Sequence, residues 1–335
     1  MGFLYRSSIV AALVLLLISG AFIVYVYQWA SAPLPVAESV VIELAPGESF
    51  GAFAETLQSA GVIQRSWLFT TYARLKGQTN RIQAGEYRVS TAATAESLLA
   101  DLVAGAVVTY EMRITEGSTI TQVLHQLGET DRLLNDLESA TAATLMPRLQ
   151  LGSGHAEGQF FPATYDFRRG TPASVVLLRA NERMREVLAH EWSMRAPGLP
   201  YATPDDALIM ASIIEKETGR ESERGKISRV FVSRLQRQMR LQTDPAVIYG
   251  LGTAFDGNLT RAHLDADNPY NTYRQIGLPP TPIALPGLAS IKAALHPDDG
   301  DYLYFVAKGD GSSEFSATLD EHTAAVRRYQ LSGDN

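Results

Sequence analysis

The clearest chemical signal in the sequence is a glutamate at the end of a predicted apolar helix. Thr203 is a favourable N-cap residue and Pro204 suits the first helical position, so a helix is predicted from Pro204 to Thr218, with Gly219 as its stop signal. Four apolar residues repeat at the spacing of a buried stripe. They are Ala207, Met210, Ala211 and Ile214.

Glu217 is predicted to lie on the buried side of this helix. At about 100° per residue, Glu217 falls about 60° from Ile214, inside the stripe, whereas Glu215 falls about 100° away, at its flank. A buried carboxyl must be paired or protonated, and a protonated carboxyl is a candidate general acid. Glu215 is the main rival, and a structural ion pair is the other alternative. The arginines available as partners are Arg220, Arg224 and Arg229.

A polar turn downstream is predicted to return side chains to Glu217. A second helix is predicted from Glu221 to Arg240, and it ends in the sequence LQTDP, from Leu241 to Pro245. Tyrosines follow in turn-rich segments, where a tyrosine offers an apolar ring face to a sugar and a hydroxyl to a hydrogen bond. These tyrosines are Tyr249, Tyr270 and Tyr273, the last two on either side of Asn271 and Thr272.

Several motifs in this region resemble one enzyme family. They are IIEKET (Ile213 to Thr218), MRLQTDP (Met239 to Pro245), VIYGLG (Val247 to Gly252), YNTY (Tyr270 to Tyr273) and GLPPTPI (Gly277 to Ile283). Together they are similar to the catalytic domain of the endolytic murein transglycosylases, the YceG-like family. The resemblance extends over nearly the whole chain, through EGQFFPATYDF (Glu157 to Phe167) and EFSATLDEH (Glu314 to His322). The family usually has an aspartate where this chain has Ala163, which argues against a polar role at that position.

The resemblance implies a lytic transglycosylase, a carbon-oxygen lyase that cuts between N-acetylmuramic acid and N-acetylglucosamine within nascent glycan strands and limits their elongation. Glu217 would protonate the leaving oxygen and then, as a carboxylate, take a proton from the muramyl C6 hydroxyl. A 1,6-anhydro end would form without consuming water. Motif matching also implies a set of residues that bind substrate or line the site. They are Gln242, Thr243, Asp244, Tyr249, Asn271 and Tyr273.

Two other functions stay open. Hydrolysis of a glycosidic bond by the usual routes needs two carboxylates, and Asp244 is the best second acid, so a peptidoglycan hydrolase that uses Glu217 and Asp244 is the first alternative. A membrane-tethered glycan-binding scaffold with a structural Glu217 is the second. The six histidines form no paired ligand motif, so no metal is predicted, and no cofactor is implied.

The N-terminal segment is predicted to cross a membrane. No residue between Arg6 and Glu38 is charged, and residues 9–29 are enough for a hydrocarbon core of ~30 Å. A cleaved signal peptide is the alternative, because residues 30–32 have the small side chains of a cleavage site, but the apolar stretch is long and Pro33 follows it. The charges on either side predict a cytoplasmic N-terminus and a periplasmic or extracytoplasmic body.

The rest of the chain predicts an α+β fold. Strand-then-helix units recur in its first part, with Ser49 and Ser118 as predicted N-caps, and the resemblance implies a LysM-like α+β subdomain there, of a kind associated with glycan binding. A larger α+β catalytic domain follows. The predicted divisions are residues 1–8 (cytoplasmic N-terminus), 9–29 (transmembrane helix), 30–38 (linker), 39–128 (LysM-like subdomain), 129–156 (connecting segment) and 157–335 (catalytic domain).

Composition narrows the choice of partners. The chain has 29 basic and 36 acidic residues, and this net charge of −7 argues against a nucleic-acid-binding protein, which would usually contain a basic domain. The absence of cysteine excludes disulfides and cysteine-ligated metals. A membrane tether would keep the site close to newly made glycan. The implied partners are therefore peptidoglycan strands and the membrane-bound peptidoglycan synthases, the penicillin-binding proteins.

Overall fold

A computed structural model describes residues 2–331, which form the mixed α+β fold that the sequence predicts. The helices are α1 (Gly2–Ser31), α2 (Phe50–Ser59), α3 (Ser66–Leu75), α4 (Ala95–Ala104), α5 (Ile120–Gly128), α6 (Leu145–Arg148), α7 (Ala173–Ser193), α8 (Pro204–Glu217), α9 (Glu221–Gln236), α10 (Asp244–Leu251), α11 (Arg261–Asp265), α12 (Leu288–Leu295) and α13 (Leu319–Val326). The strands are β1 (Val40–Leu44), β2 (Gly85–Val89), β3 (Tyr110–Arg113), β4 (Thr164–Phe167), β5 (Tyr304–Ala307) and β6 (Ser313–Ser316). They pair as β1 with β2, β3 with β4 and β5 with β6, so the sheets of the described residues are small.

The chain divides into two compact units. Unit 1 comprises the chain through Tyr110 together with Asp166–Gly170, and unit 2 comprises Glu111–Tyr165 together with the chain from Thr171 onward. The first division therefore falls at Tyr110, whereas the sequence predicts a first subdomain that continues to residue 128. As a result, α5 belongs to unit 2.

The core of unit 1 lies between a two-stranded sheet and three helices. β1 and β2 run antiparallel, with Val40 opposite Val89 and Leu44 opposite Gly85. Alternate strand residues join the buried faces of α2, α3 and α4 in one hydrophobic core. Its members include Ile42, Leu44, Phe53, Leu57, Phe69, Tyr72, Tyr87 and Leu99. Ser49 caps α2 as predicted, because its hydroxyl accepts a hydrogen bond from Ala52 N at 3.2 Å.

The last turns of the long apolar helix α1 pack into the core of unit 1. Among the described residues, Ser8–Ser31 is the one helical stretch long and apolar enough to cross a membrane. Near its end, Val26 and Ala30 are fully buried in the core of unit 1. The segment predicted as a linker is also held, since Leu34 N donates a hydrogen bond to Ala93 O at 2.8 Å. Within the predicted linker, residues 30–38, Ala30 and Leu34 are thus buried against unit 1, whereas most of the other residues are exposed.

In unit 2, α8 is enclosed by other helices. It contacts α7, α9, α10 and α12, and every residue from Ala207 to Ile214 is at most 8% exposed. The stripe predicted from the sequence is therefore only part of its buried surface. Even Ser212 is fully buried, and its hydroxyl accepts a hydrogen bond from Ile283 N at 3.0 Å.

The start of α8 follows the prediction, and its end differs in mechanism. Thr203 Oγ1 accepts a hydrogen bond from Asp206 N, and the Asp206 carboxylate accepts one from Thr203 N at 2.9 Å. The helix ends at Glu217 because Thr218 adopts an extended backbone, with φ −148° and ψ 138°. Gly219 is not among the residues with positive φ, so the predicted glycine stop is wrong.

Two further predictions about helix ends are wrong. The helix predicted to reach Arg240 ends at Gln236, because Gln238 takes a left-handed φ of +55° and turns the chain. The cap of α5 is Thr119 rather than Ser118, since Thr119 Oγ1 accepts a hydrogen bond from Gln122 N at 3.3 Å. Adjacent hydroxyl residues at a helix start are equivalent by type, and the backbone geometry chooses between them.

Gly85 is a position where unit 1 requires glycine, and its replacement should destabilise this unit. Its φ is +146°, and a Cβ atom there would lie 2.5 Å from Cγ1 of Val107, a branched side chain that cannot swing away. We expect Gly85→Ala to lower the free energy of unfolding by about 1–3 kcal/mol. Urea unfolding of the two proteins, followed by circular dichroism, measures the difference.

The matched control is Gly51→Ala. Gly51 lies in α2, and a Cβ atom there would meet nothing within 4 Å. Because alanine is the better helix former by about 1 kcal/mol, this variant should be as stable as the parent or more so. Equal stability of the two variants would contradict the argument from backbone geometry.

Candidate active site

Glu217 lies at the last position of α8, where its side chain reaches a cavity of about 370 Å³. The cavity is in unit 2 and combines polar groups from α8, α9 and the segment before α10 with the outer part of β5 and α13. Its polar lining consists of Glu217, Arg234, Gln242, Asp244, Tyr273, His322 and Gln330. The structure thus brings together Glu217 and three of the six other site residues implied by the motifs: Gln242, Asp244 and Tyr273.

Burial keeps Glu217 protonated further towards neutral pH than an ordinary glutamate. The pKa of its carboxyl is raised to about 7, mainly by loss of solvation and to a lesser extent by the negative charge of Asp244. The Thr243 hydroxyl and the positive charge of Arg234 act in the opposite direction. A carboxyl with a pKa near neutrality is suited to give up a proton and take one back.

The polar turn before α10 is held in place by Thr272. Gln242 N donates to Thr272 O at 3.1 Å, Thr243 N donates to Thr272 Oγ1 at 3.0 Å, and Thr272 Oγ1 donates to Thr243 O at 3.1 Å. Gln242, two residues before α10, adopts a left-handed φ of +52°, and its side chain is exposed. Thr243 is buried below the cavity, where its hydroxyl faces the Glu217 carboxyl.

Asp244 and Tyr273 form a pair at the edge of the cavity. The Tyr273 hydroxyl donates to Asp244 Oδ1 at 2.5 Å, and burial together with Asp244 raises the pKa of this tyrosine. Asp244 is the first residue of α10, where a negative charge is favoured by the helix dipole. The Tyr273 hydroxyl and the start of α10 thus both stabilise its carboxylate, which lies at the solvent-exposed side of the site.

Asn271 is fully buried, and its side chain is occupied by the backbone around it. Its amide nitrogen donates to the carbonyl oxygens of Leu264 and Ala266 at 3.0 and 2.7 Å, and its amide oxygen accepts from Tyr273 N at 3.1 Å. Asn271 therefore shapes the loop that carries Tyr273, and it is not part of the lining of the Glu217 cavity.

Tyr249 lies in a second, larger cavity of unit 2, of about 830 Å³, which shares no lining residue with the first. Its hydroxyl donates to Glu157 Oε2 at 3.2 Å, and Ile120 N donates to Glu157 Oε1 at 2.9 Å. Glu157 is 1% exposed, and loss of solvation raises the pKa of its carboxyl to about 7. The two cavities meet different faces of the same segment, because Lys216 and Pro245 line the second and their neighbours Glu217 and Asp244 line the first.

Two residues of the site carry no functional assignment from sequence reasoning. Arg234, 7% exposed, donates from Nε to Leu303 O at 2.8 Å and from Nη1 to Leu241 O at 2.6 Å. His322 stacks on the ring of Tyr304 at 5.1 Å, and burial and the positive charge of Arg234 lower the pKa of its imidazole. The sequence could have indicated a buried Arg234, because Ile227, Phe231 and Arg234 have the spacing of one face of a helix. Glu157 and His322, in contrast, follow no periodic pattern.

Glu215, the sequence rival of Glu217, is committed to structural contacts. Its side chain is 7% exposed, with Oε1 3.5 Å from Arg224 Nη2 and Oε2 accepting from Gly287 N at 2.9 Å. The other predicted partners of Glu217 also point elsewhere, because Arg220 and Arg229 donate to the carbonyl oxygens of Asp310 and Asp298. The cation next to Glu217 is Arg234 instead.

Comparisons with known proteins agree on one family. Residues 42–328 match the model of the YceG-like family. A Bacillus subtilis (strain 168) protein named endolytic murein transglycosylase is 32% identical over 308 residues, which cover 87% of this chain and 85% of that protein. A Streptococcus pneumoniae (serotype 2, strain D39) protein of the same name is 27% identical, and the match covers 87% of this chain and 58% of that protein. A crystal structure of a yceG-like protein from Listeria monocytogenes superposes with a TM-score of 0.51 at 30% identity, over 86% of this chain and 99% of that one.

The raised pKa of Glu217 should make the protein less stable as pH rises. The folded state holds this proton up to about pH 7 and the unfolded state only up to about pH 4.5, so stability falls as pH rises through that window. Glu217→Gln removes the effect. We expect the variant to match the parent below pH 4.5 and to be more stable by about 1–3 kcal/mol above pH 7. Urea unfolding at both ends of the window measures this difference.

Glu221→Gln is the control for this experiment. Glu221 is an exposed acid at the start of α9, so its neutralisation should leave the pH dependence of stability unchanged. A Glu217→Gln protein that loses as much stability as the parent between these pH values would contradict the burial of the carboxyl.

Proposed function

The chain belongs to the YceG-like family, and we infer that it acts as an endolytic murein transglycosylase whose general acid is Glu217. The observation that carries the assignment of Glu217 is its carboxyl, raised in pKa to about 7 by burial and lining a cavity beside Asp244 and Tyr273. An acid that is neutral at pH 6 can protonate a glycosidic oxygen, which an ordinary glutamate does poorly.

The proposed reaction uses Glu217 twice. The protonated carboxyl donates its proton to the glycosidic oxygen between N-acetylmuramic acid and N-acetylglucosamine, and the bond from the muramyl C1 to that oxygen breaks. The Glu217 carboxylate then takes the proton of the muramyl C6 hydroxyl, while the oxygen of that hydroxyl forms a bond to the muramyl C1. The products are a free N-acetylglucosamine hydroxyl and a 1,6-anhydromuramyl end. Glu217 regains its proton, so each turnover is balanced without water.

Arg234 and Thr243 stabilise the carboxylate that Glu217 becomes after it has donated its proton. Both favour the charged form of Glu217, while burial and Asp244 favour the neutral form. Opposed influences of this kind hold a pKa near the pH at which the group must both donate and accept. We propose Arg234 and Thr243 as positioning residues, since neither replaces Glu217 in the proton transfers.

The glycan is proposed to cross both cavities. Gln242 and Tyr273 would contact the sugars at the cleaved bond, and Tyr249 would contact sugars further along the strand, in the cavity that it shares with Glu157. Endolytic cutting needs such room on more than one side of the acid, because a strand bound in its middle continues past the reacting sugars. Asn271 would act indirectly, by holding the loop of Tyr273.

A hydrolase that uses Asp244 is the second candidate. It is favoured by one observation, the charge interaction between Asp244 and Glu217 across the same cavity. Two carboxylates that flank a glycosidic bond can hydrolyse it with a water molecule. The Tyr273 hydroxyl bound to Asp244 favours the alternative role of setting the pKa of Glu217.

The cellular setting is proposed from the N-terminal helix. We infer that Ser8–Ser31 is a single-pass anchor in the cell membrane, with a cytoplasmic N-terminus and a periplasmic or extracytoplasmic body. This places the site beside glycan as it leaves the membrane-bound synthases, the penicillin-binding proteins, which are the proposed partners. The cuts would limit the elongation of nascent strands. We also propose that residues 39–128, most of which lie in unit 1, form a LysM-like part that binds glycan.

Replacement of Glu217 should abolish cleavage. The full chain in detergent is incubated with un-crosslinked glycan strands, and the products are read by mass spectrometry. The parent should release internal fragments with 1,6-anhydromuramic ends, and Glu217→Gln should lower the rate about 10²- to 10⁴-fold, the usual contribution of a general acid or base. Glu221→Gln is the matched control and should retain the parental rate. Fragments heavier by one water would indicate hydrolysis, and a fully active Glu217→Gln would remove it from the mechanism.

Asp244→Asn should shift the pH profile rather than change the product. Because the Asp244 charge raises the pKa of Glu217, its removal should lower that pKa, and the alkaline limb of kcat should move to lower pH. The 1,6-anhydro ends should remain. The measurement is kcat against pH for the parent and the variant. Loss of all activity at every pH, in a protein that still unfolds cooperatively, would favour the two-carboxylate hydrolase instead.

A further inference from the structure

An exposed tryptophan of unit 1 packs directly on the apolar helix α1. The rings of Trp67, in α3, and Phe22, in α1, are parallel within 6°, with centroids 6.3 Å apart. Trp67 is 50% exposed and Phe22 is 41% exposed, so both rings also present a free apolar edge. Because Trp67 is exposed next to a helix that we infer to span the membrane, its exposed face contacts either water or lipid.

The length of α1 places Phe22 inside the membrane. A hydrocarbon core of ~30 Å takes about 20 residues of helix at 1.5 Å each. Counted from Ile9, the first residue of the uncharged apolar run, the far edge falls near Gln28. Phe22 is then about 9 Å below that edge. Trp67, which stacks on it, lies at a similar depth.

Sliding the helix outward does not remove this contact from the membrane. If Phe22 marked the far edge, the core would begin about 20 residues earlier, and Arg6 would lie about 6 Å inside the hydrocarbon. A tilted helix would need still more residues. Trp29, seven residues further on, would then lie about 10 Å outside the hydrocarbon core, beyond a headgroup layer of about 5–8 Å in which such side chains are enriched.

The side chains around Trp67 suit the boundary between acyl chains and headgroups. Arg65 Nη1 donates to the hydroxyl of Tyr25 at 3.2 Å, which places a cation one helical turn above Phe22. Within α3, Thr70 and Thr71 donate their hydroxyls to the backbone oxygens of Ser66 and Trp67 at 3.0 and 2.8 Å. These two hydroxyls are therefore satisfied within the helix and do not need water.

We propose that residues 65–67, at the start of α3, form a membrane-interface surface of unit 1. Trp67 contacts the outer part of the acyl chains, and the Arg65 side chain, one helical turn nearer the edge of the hydrocarbon core, extends towards the phosphates of the phospholipid headgroups. The proposal rests on the membrane anchor proposed above. It goes beyond the anchor, because it assigns a lipid-contacting surface to the folded body. Unit 1 is then held against the bilayer in one orientation rather than carried on a loose tether.

Fluorescence of Trp67 tests this surface in the intact chain. The chain has three tryptophans, so Trp29→Phe with Trp192→Phe leaves Trp67 as the single emitter. The full chain is reconstituted in vesicles of phosphatidylcholine and phosphatidylglycerol, with and without brominated acyl chains. We expect Trp67 emission to shift to shorter wavelength on reconstitution and to be quenched by the brominated lipid.

Two reporters calibrate the result, each in a chain with its three natural tryptophans replaced by phenylalanine. Phe22→Trp reports the depth of α1 and should be quenched about as strongly as Trp67. Val41→Trp is the water-facing control, because Val41 is 40% exposed on the face of β1 that points away from the buried core residues Ile42 and Leu44. It should not be quenched. If the double phenylalanine replacement fails to fold, the quenched fraction of the parent is compared with that of Trp67→Phe, which should be smaller.

The outcomes separate the surface from the anchor and from the enzyme. A chain that floats with vesicles and shows quenched Phe22→Trp but unquenched Trp67 overturns the surface alone, including the case in which a protein partner covers Trp67 in the cell. A chain that does not float overturns the anchor and the surface together. Cleavage of glycan strands by the same preparations is assayed separately, and its loss would count against the proposed function only.

Discussion

The burial of one carboxyl at the end of α8 is the constraint on which the site depends. Glu217 can be held there because α8 packs against four other helices, and its last residue, which is only partly exposed, lines a cavity of unit 2. An uncompensated charge at this position would be unfavourable, and the protein reduces this cost in two ways. Loss of solvation keeps the carboxyl neutral towards pH 7, and Arg234 and Thr243 limit the cost when it ionises. The helices packed around α8 thus contribute to the raised pKa of Glu217.

The polar groups around Glu217 are placed by residues that never reach the cavity. Thr272 fixes the backbone of Gln242 and Thr243, and Asn271 fixes the loop that presents Tyr273. Both are at most 1% exposed. Because every hydrogen-bonding group of such a buried side chain must find a partner, the loop has few alternative conformations. A motif such as YNTY therefore mixes residues that line the site with residues that hold the lining in place.

The sequence predicts local features well and long-range pairing poorly. The caps at Thr203 and Ser49, the apolar helix and the position of Glu217 follow from spacing and residue type within a short window. The pairing of Glu215 with Arg224 and Gly287 does not, because the helical wheel assumes one buried face and α8 is buried on all sides. The contact between Glu157 and Tyr249 joins residues 92 apart in the chain. The packing of α1 on α3 is equally remote from any local pattern.

Two glutamates of unit 2 show why a raised pKa does not by itself identify a catalytic acid. Loss of solvation raises the pKa of Glu157 and of Glu217 to about 7, so titration alone does not distinguish them. Both oxygens of Glu157 accept hydrogen bonds, from Ile120 N and from the Tyr249 hydroxyl, and the residue is 1% exposed. Both residues line cavities, but Glu217 is more exposed than Glu157 and lies next to a second carboxylate, Asp244. Proton transfer to a substrate needs an oxygen that the substrate can reach, and this requirement of access supports the proposal that Glu217 is the acid.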